Sequence, residues 1–425
     1  MTAATRGKSV TYVKRVVDSE LTERLRATGG VVIEGPRAVG KTETARQVAR
    51  SEVRLDVDGA ARELAQLDPE LVLTGPTPRL IDEWQLVPTI WNHVRRAVDD
   101  RKASGQFILT GSAVPADDVS RHTGAGRITR LRMRPMSLFE TGHSNGAISL
   151  ARLLQGDAAR AADPGLSLRQ LVELISVGGW PGRNGLTARQ LLRANRDYLG
   201  EIARADVHRV AGPRRDPQRI SRLLASIARN VATYASNSTL AADPGGSAGP
   251  LDRETVHEYL DALDRLFITE HQPPWAPALR SRSILRNEAK RLFCDPSLAV
   301  AALRADPPQL LRDPNLLGLL FESLVVRDLR VYAQAADGQV LQYRDNTGLE
   351  VDAIVEAGGG MWGAFEVKLG PNQVDGAAEK LRRFAGRIDS RRVGEPSVLG
   401  VIVGTGYGFV RPDSVAVIPI GALGP

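Results

Sequence analysis

Residues 31–42 read VVIEGPRAVGKT. The β-branched run Val31–Val32–Ile33 predicts a buried strand. The stretch that follows it, Gly35 to Thr42, fits G-x-x-x-x-G-K-[ST], the pattern of a phosphate-cradling loop. Gly35 and Gly40 let the backbone bend so that successive N–H groups face phosphate oxygens. Gly35, Pro36, Arg37, Ala38, Val39 and Gly40 form the cradle, Lys41 reaches the terminal phosphates, and the Thr42 hydroxyl ligates Mg²⁺. The next residues, TETARQVAR (42–50), predict a helix whose N-terminal dipole faces the same anion. A Gly-rich turn with an incidental lysine is the bland alternative, and the flanking strand and helix argue against it.

Working outward, a carboxylate partner is expected at the end of a neighbouring strand. RLIDEWQ (79–85) supplies Asp82 for Mg²⁺ and Glu83 as a general base for the attacking water, against the alternative of an exposed acidic turn. QFILTGS (106–112) ends a third apolar run in Thr110, Gly111 and Ser112. Thr110 is placed at the γ-phosphate or lytic water, with capping of the next turn as the alternative. RHTGAGRITRLRMR (121–134) carries Arg121, Arg127, Arg130, Arg132 and Arg134. Arg127 is the first choice for an arginine finger acting on a neighbouring copy, and a solvated basic face is the expectation for most of the others.

The runs VVIEG, VRLDVD, RLIDE, FILTGS and ITRLRMRPMS, separated by helical stretches, predict an α/β domain with a parallel sheet. From about residue 145 the texture is helical, with LLRANRDYLGEIARADV and ETVHEYLDALDRLFI spaced at three and four residues. NSTLAAD and the LDRETVHEYLDALDRLFI stretch read as a helix-turn-helix of winged type, with Asp252 as cap and Val256, Leu260, Leu263 and Phe267 on one stripe. Its turn is lengthened by residues 244–249, and it exposes Glu254, Glu258, Asp261 and Asp264. Those acids favour a structural or protein-contacting role over a DNA reader. Hinges are expected at SNSTLAADPGGSAGP (236–250) and HQPPWAP (271–277).

The C-terminal part predicts a helix over NLLGLLFESLVVRDLRVYAQ with Glu322, strands VLQYRDN, LEVDAIVEA and MWGAFEVKLG, and a helix around QVDGAAEKLRRFAG. Glu366 and Lys368, two apart on a strand, project to one face beside Asp352. Carboxylates there can hold Mg²⁺, and a lysine can position or deprotonate a water, chemistry that suits phosphodiester hydrolysis. The spacing D-x₁₃-E-x-K is unspecific, and solvated decoration of an edge strand is the bland reading.

Composition bounds these readings. The chain has 425 residues, 42% hydrophobic and 25% charged, which suits two or three globular domains and excludes a disordered chain. A single cysteine, Cys294, excludes a disulfide scaffold or cysteine zinc site, and no apolar run spans a membrane, so a cytoplasmic protein is expected. The net charge of +7 is local: residues 121–134 hold five arginines and no acid, and residues 193–230 hold nine arginines against four acids. Only seven lysines occur, so Lys41 and Lys368 stand out where an ammonium is chemically wanted.

Together these pieces resemble a family of AAA-type P-loop ATPases with a C-terminal domain of unknown function, number 4143, itself related to PD-(D/E)XK nucleases. The resemblance runs through GPRAVGKT, LIDEWQ, FILTGS, GRITRLRMRPMSLFE, GGWPG, YLGEIARADV and TVHEYLDALDRLF. It continues through LFCDPSLA, LLFESLVVRDL, LEVDAIVE and AFEVK, nearly the whole chain. It implies an ATPase site at Lys41, Thr42, Asp82 and Glu83 and nuclease-like positions at Glu322, Asp352, Glu366 and Lys368. The expected units are an ATPase domain over 1–140, a helical and winged-helix region over 141–275 and a nuclease-like α/β domain over 276–425. The expected function is an ATP- and Mg²⁺-dependent switch acting on a nucleic acid or a protein, with homo-oligomerisation and no membrane partner. The alternative is an ATP-controlled, metal-dependent nuclease in which Glu322, Asp352 and Glu366 bind metal and Asp352, Glu366 and Lys368 are catalytic. A small-molecule kinase is the weakest reading, since no acceptor pocket can be read.

Overall fold

Parallel strands require a crossover between each pair, and the N-terminal texture supplies the helices for it. The computed structural model describes residues 12–113, 123–183, 185–207, 210, 216–242, 251–277 and 289–425. Five strands, β1 (Gly30–Glu34), β2 (Ser51–Arg54), β3 (Arg79–Asp82), β4 (Phe107–Gly111) and β5 (Ile128–Arg132), form an all-parallel sheet in the order β2-β3-β4-β1-β5. Both faces are covered, which is why β1 and β4 are apolar without alternation. One face packs Val31, Ile33 and Ile108 into the large central core, and the other packs Val32, Ile81 and Leu109 with Trp84 and Trp91. The order puts β4 between the phosphate-loop strand and β3. Thr110 is therefore level with Ile33 on one side and Asp82 on the other.

The middle region is helical, with Leu168–Val177, Ala188–Glu201, Pro217–Arg229, Asn237–Ala242 and Arg253–Arg265. The first two start in capping boxes, Ser167 with Gln170 and Thr187 with Gln190, which satisfy N–H groups otherwise left without partners. After Glu201 the helix widens into a π-helical turn over Ile202–Asp206. The helix Pro296–Ala302 packs against Leu168–Val177, Ala188–Glu201 and Pro217–Arg229, so this later segment shares the core of the helical region. Val256, Leu260, Leu263 and Phe267 are all buried, as the stripe requires.

The C-terminal strands are β7 (Gln339–Arg344), β8 (Glu350–Glu356), β9 (Trp362–Lys368), β10 (Val398–Val403), β11 (Phe409–Val410) and β12 (Ala416–Pro419). Their sheet runs β11-β12-β10-β9-β8-β7. Pro314–Ala335 lies on one face and Val374–Ala385 on the other. The expected hinge at 271–277 is instead fixed to this sheet. Pro274 bridges Gln342, Gln342 N–H donates to the Pro273 carbonyl at 2.9 Å, and Trp275 packs on Trp362 with ring centroids 4.8 Å apart. Burying Trp275 outweighs the freedom that the Pro-rich composition suggests. The other expected hinge is helical over Asn237–Ala242, and its remainder with the 244–249 insert lies outside the described residues. Finally, β13 (Leu423–Gly424) pairs with β6 (Ile148–Ser149), tying the last residues beside the first domain. Among the described residues no helix is long and apolar enough to cross a membrane.

Candidate active site

The phosphate loop leaves β1 at Gly35, where a Cβ would meet the Met133 carbonyl oxygen at 2.1 Å, so only glycine fits. Gly40 closes it at φ 94°. The helix after it covers Lys41–Arg46, shorter than expected, because residues 47–49 loosen into turn-like bonds. Lys41 is 6% exposed, and its Nζ donates to the carbonyls of Gly35 and Pro36, both at 2.8 Å. Burial pushes its pKa down to about 8, against the pull of Glu83 and Asp82. A buried ammonium held only by two neutral carbonyls is a cation ready for an anion.

Around it the polar groups converge. Thr42 Oγ1 donates to Asp82 Oδ1 at 2.8 Å, and Thr110 Oγ1 donates to the same oxygen. A hydroxyl and a carboxylate this close form an oxygen donor pair of the kind Mg²⁺ takes alongside nucleotide phosphates. Glu83 has φ 55° and ψ 44°, an uncommon left-handed conformation for a non-glycine residue, found most often where a side chain must be aimed. Its Oε2 accepts from Ser112 Oγ at 3.2 Å and from Gln85 Nε2. Gln85 and Ser112 thus hold Glu83, a role not read from the sequence beyond Ser112 ending a strand.

A cavity of about 1610 Å³ opens over this loop. It is bounded by the N-terminal Tyr12 and Val13, by the Gly178–Arg183 turn and by the π-helical turn. Arg37 of the loop pairs with Asp206 at 3.0 Å, and Tyr198 Oη donates to the Arg37 carbonyl at 3.4 Å. Arg15 fixes the loop from below through the Val39 carbonyl at 2.8 Å and Glu140 at 2.9 Å.

Most of the arginines of 121–134 are occupied inside the molecule. Arg127 is not brought to the phosphate loop. It precedes β5 at the opposite end of the parallel sheet, where it pairs with Asp99 at 2.8 Å. Arg130 pairs with Glu34, Arg134 with Glu270 at 2.6 Å, and Arg132 stacks over Phe267 at 4.0 Å. Arg121 lies outside the described residues.

Three family models match the chain: an AAA domain over residues 28–142, a domain of unknown function, number 8612, over 168–309, and the domain of unknown function 4143 over 317–423. The chain carries an AAA domain in its N-terminal part and a 4143 domain in its C-terminal part. Among solved structures, it is similar to a Walker-type ATPase of Pyrococcus abyssi at 15% identity, covering 67% of this chain and 94% of that one, with a TM-score of 0.42. It is also similar to AMPPCP-bound DnaA from Aquifex aeolicus at 14% identity, covering 59% and 86%, with a TM-score of 0.26. No curated protein matches the chain.

In the 4143 domain the structure brings Glu322, Asp352, Glu366 and Lys368 together. Two further lysines that sequence reasoning passed over join them. Lys290 Nζ lies 2.7 Å from Glu322 Oε1 and 3.8 Å from Asp352 Oδ1. Lys368 lies 3.0 Å from Glu366 and 3.6 Å from Asp352, and Lys380 lies 2.8 Å from Glu366. Burial opposes the Lys290 charge, but Glu322 and Asp352 overcome it and hold its pKa above the ordinary lysine value. Burial and the nearby Asp352 push Glu366 up. Among the described residues no group of three or more His, Cys, Asp or Glu is arranged to hold a metal ion. The expected metal set Glu322, Asp352 and Glu366 is instead an ion-pair network, because each carboxylate already faces an ammonium. The scarcity of lysine was the available signal: four of the seven, Lys41, Lys290, Lys368 and Lys380, stand in these two places.

Proposed function

We propose that the AAA domain binds and hydrolyses ATP with Mg²⁺, and that the helical region reads the nucleotide state as a switch on a macromolecular partner. The observation that carries this reading is the convergence of Lys41, Thr42, Asp82, Glu83 and Thr110 at the carboxyl ends of adjacent strands. Lys41 exchanges its two carbonyl partners for the β- and γ-phosphates. Thr42 and Asp82 hold Mg²⁺, which supplies charge neutralisation for the phosphoryl transfer. Glu83 accepts the proton as a water oxygen bonds to the γ-phosphorus and the bond to the bridging oxygen breaks, leaving ADP and phosphate. Thr110 keeps Asp82 oriented from the intervening strand.

The switch is supported by the contacts of the loop itself. Arg37 is one of the cradle residues, and its partner Asp206 belongs to the π-helical turn that packs on Pro217–Arg229. Phosphates attract the Arg37 guanidinium away from Asp206, so occupancy of the loop alters a contact of the helical region. That helix begins a series of three, followed by bridges Thr269–Phe293 and Gln272–Lys290, the order expected of a winged helix. Glu254 and Asp261 are exposed on its last helix, which favours a protein partner over the DNA backbone.

ATP turnover by wild type, Lys41→Ala and Glu83→Gln tests the site, with DNA added in a parallel series. Turnover that persists in Lys41→Ala overturns it. For the switch, limited proteolysis of the helical region with and without ATP should differ in wild type and converge in Asp206→Asn. The nuclease alternative rests on Asp352, Glu366 and Lys368 sharing one face. Mn²⁺- or Mg²⁺-dependent cleavage of nucleic acid that Asp352→Ala abolishes would favour it.

A further inference from the structure

The helical region carries a second concavity, apart from the nucleotide cavity. It measures about 430 Å³ and lies where three elements meet. Ser236, Asn237 and Ser238 come from the start of the helix Asn237–Ala242, and Arg253 is the first residue of the helix Arg253–Arg265. His271 and Arg291 lie along the ladder of bridges that follows these helices. Among the described residues that line the pocket, two are arginines, one is a histidine and none is acidic. Arg219 and Arg265, in the same series of helices, each lie 3.7 Å from an aspartate, Asp216 and Asp261. Arg253 makes no ion pair among the described residues.

The groups are arranged as donors. Arg291 Nη2 donates to Asn237 Oδ1 at 2.6 Å, and its Nε donates to the Ala235 carbonyl at 3.4 Å, which fixes this guanidinium on the pocket wall. With Oδ1 taken, Asn237 keeps its amide N–H groups for another acceptor. The hydroxyls of Ser236 and Ser238 lie 2.7 Å apart. His271 Nε2 donates to Asp264 at 2.7 Å, so the ring is held by a carboxylate that does not itself line the pocket. Guanidinium, amide and hydroxyl donors gathered without a carboxylate suit an oxyanion, and the guanidinium fork matches phosphate geometry.

The volume falls in the range of small-molecule sites. A nucleic-acid backbone requires cations repeated along a track, whereas Glu254 and Asp261 are exposed beyond Arg253 on the same helix. We propose that this pocket binds the phosphate group of a small molecule, either inorganic phosphate or a phosphomonoester, with Arg253 and Arg291 as its principal cations. One phosphate shared by Ser236–Ser238, Arg253 and Arg291 joins the starts of two helices to the ladder, and so clamps the series. The helical region thereby has an anionic ligand of its own. This inference does not rest on ATP hydrolysis, and its test uses nucleotide-free protein.

The test is calorimetric titration of the full chain with inorganic phosphate and with phenyl phosphate, in a Lys41→Ala background that removes the phosphate partner of the nucleotide loop. One equivalent of at least one of the two should bind, and the tighter of them tells free phosphate from monoester. Arg253→Gln changes an exposed side chain, so the fold should persist while affinity falls at least about tenfold. Saturating ligand should raise the Tm of the parent and leave that of Arg253→Gln unmoved. Absence of binding to the Lys41→Ala protein overturns the proposal, and so does binding that Arg253→Gln leaves unchanged. A short DNA duplex that displaces the phosphate, and itself loses binding in Arg253→Gln, also overturns it by making the pocket a nucleic-acid contact.

Discussion

Two sets of lysines make opposite statements in this molecule. Lys41 is held by two backbone carbonyls and no carboxylate touches it, whereas Lys290, Lys368 and Lys380 are each matched to a carboxylate within hydrogen-bond distance. The first arrangement leaves a charge whose natural partner, an anion, must come from outside. In the second the ions satisfy one another, so the ammonium groups hold the fold together. Both places combine Lys with Asp and Glu, and both look like chemistry in the sequence. Only the distances separate them: Lys41 meets two carbonyls, and the other cluster is internally neutralised.

The largest expected effect separates the two at the level of chemistry. Glu83→Gln should retain ATP binding while turnover falls about 10²–10⁴-fold, the usual share of a general base. Lys41→Ala should lose binding and turnover together, because it removes the phosphate partner itself. By contrast, Lys368→Met should leave ATP turnover unchanged. A turnover loss in Lys368→Met comparable to that of Glu83→Gln would break the contrast between the regions.

Stability should order the same residues in reverse. Lys290→Met should cost about 3–5 kcal/mol in denaturant unfolding, since it leaves the buried Glu322 without its ammonium. Lys41→Met should be neutral or stabilising, because burial of the native charge outweighs the pull of Glu83 and Asp82. Equal losses at both positions would show that Lys41 is also a structural ion.

How much of this was legible in the sequence depends on how local the signal is. The strand-end positions of the phosphate loop, Asp82, Glu83 and Thr110 were legible because each lies within a few residues of its apolar run. The five parallel strands and the C-terminal strand series followed from the same periodicity. Lys290 was not legible, since it reaches Glu322 and Asp352 across 32 and 62 positions through a ladder made only of isolated bridges. The 271–277 hinge differs from expectation because Pro content reports only the local backbone, whereas burial of Trp275 is decided by Trp362 and Phe384 far along the chain. In the arginine run Arg127 and Arg130 are exposed as a solvated face requires, while their acidic partners, Asp99 and Glu34, and the Glu270 that pairs with Arg134 come from other elements and leave no local signal.

A subtler difference is expected in pH dependence. Lys41 has an ordinary value of 10.5 lowered to about 8 in the folded, nucleotide-free protein. Between these values the unfolded chain binds more protons than the folded one, so this group makes stability rise with pH across that window. ATP binding has the opposite sign. Phosphates favour the ammonium, so binding above pH 8 takes up a proton and affinity should fall by up to about tenfold per unit. Calorimetry at pH 9 in buffers of different ionisation enthalpy should report that uptake, and Lys41→Arg should remove it. Lys290, held above the ordinary value by Glu322 and Asp352, should show no titration in this range.

The smallest effect is expected at Arg127, and it tests whether the contrast extends to the whole arginine run. Arg127 precedes β5, at the end of the sheet away from Lys41, and its guanidinium is engaged by the half-buried Asp99. An ion pair in solvent adds little to stability, and no group of the nucleotide pocket touches it. Arg127→Ala should therefore leave both unfolding and ATP turnover within about twofold of wild type. The measurement belongs at several protein concentrations, because a finger acts across a contact between copies. Turnover that rises with concentration in wild type but not in Arg127→Ala would make this residue the counterpart of Lys41 after all: a cation paired at rest with a surface acid and exchanged for phosphate only when a second copy docks.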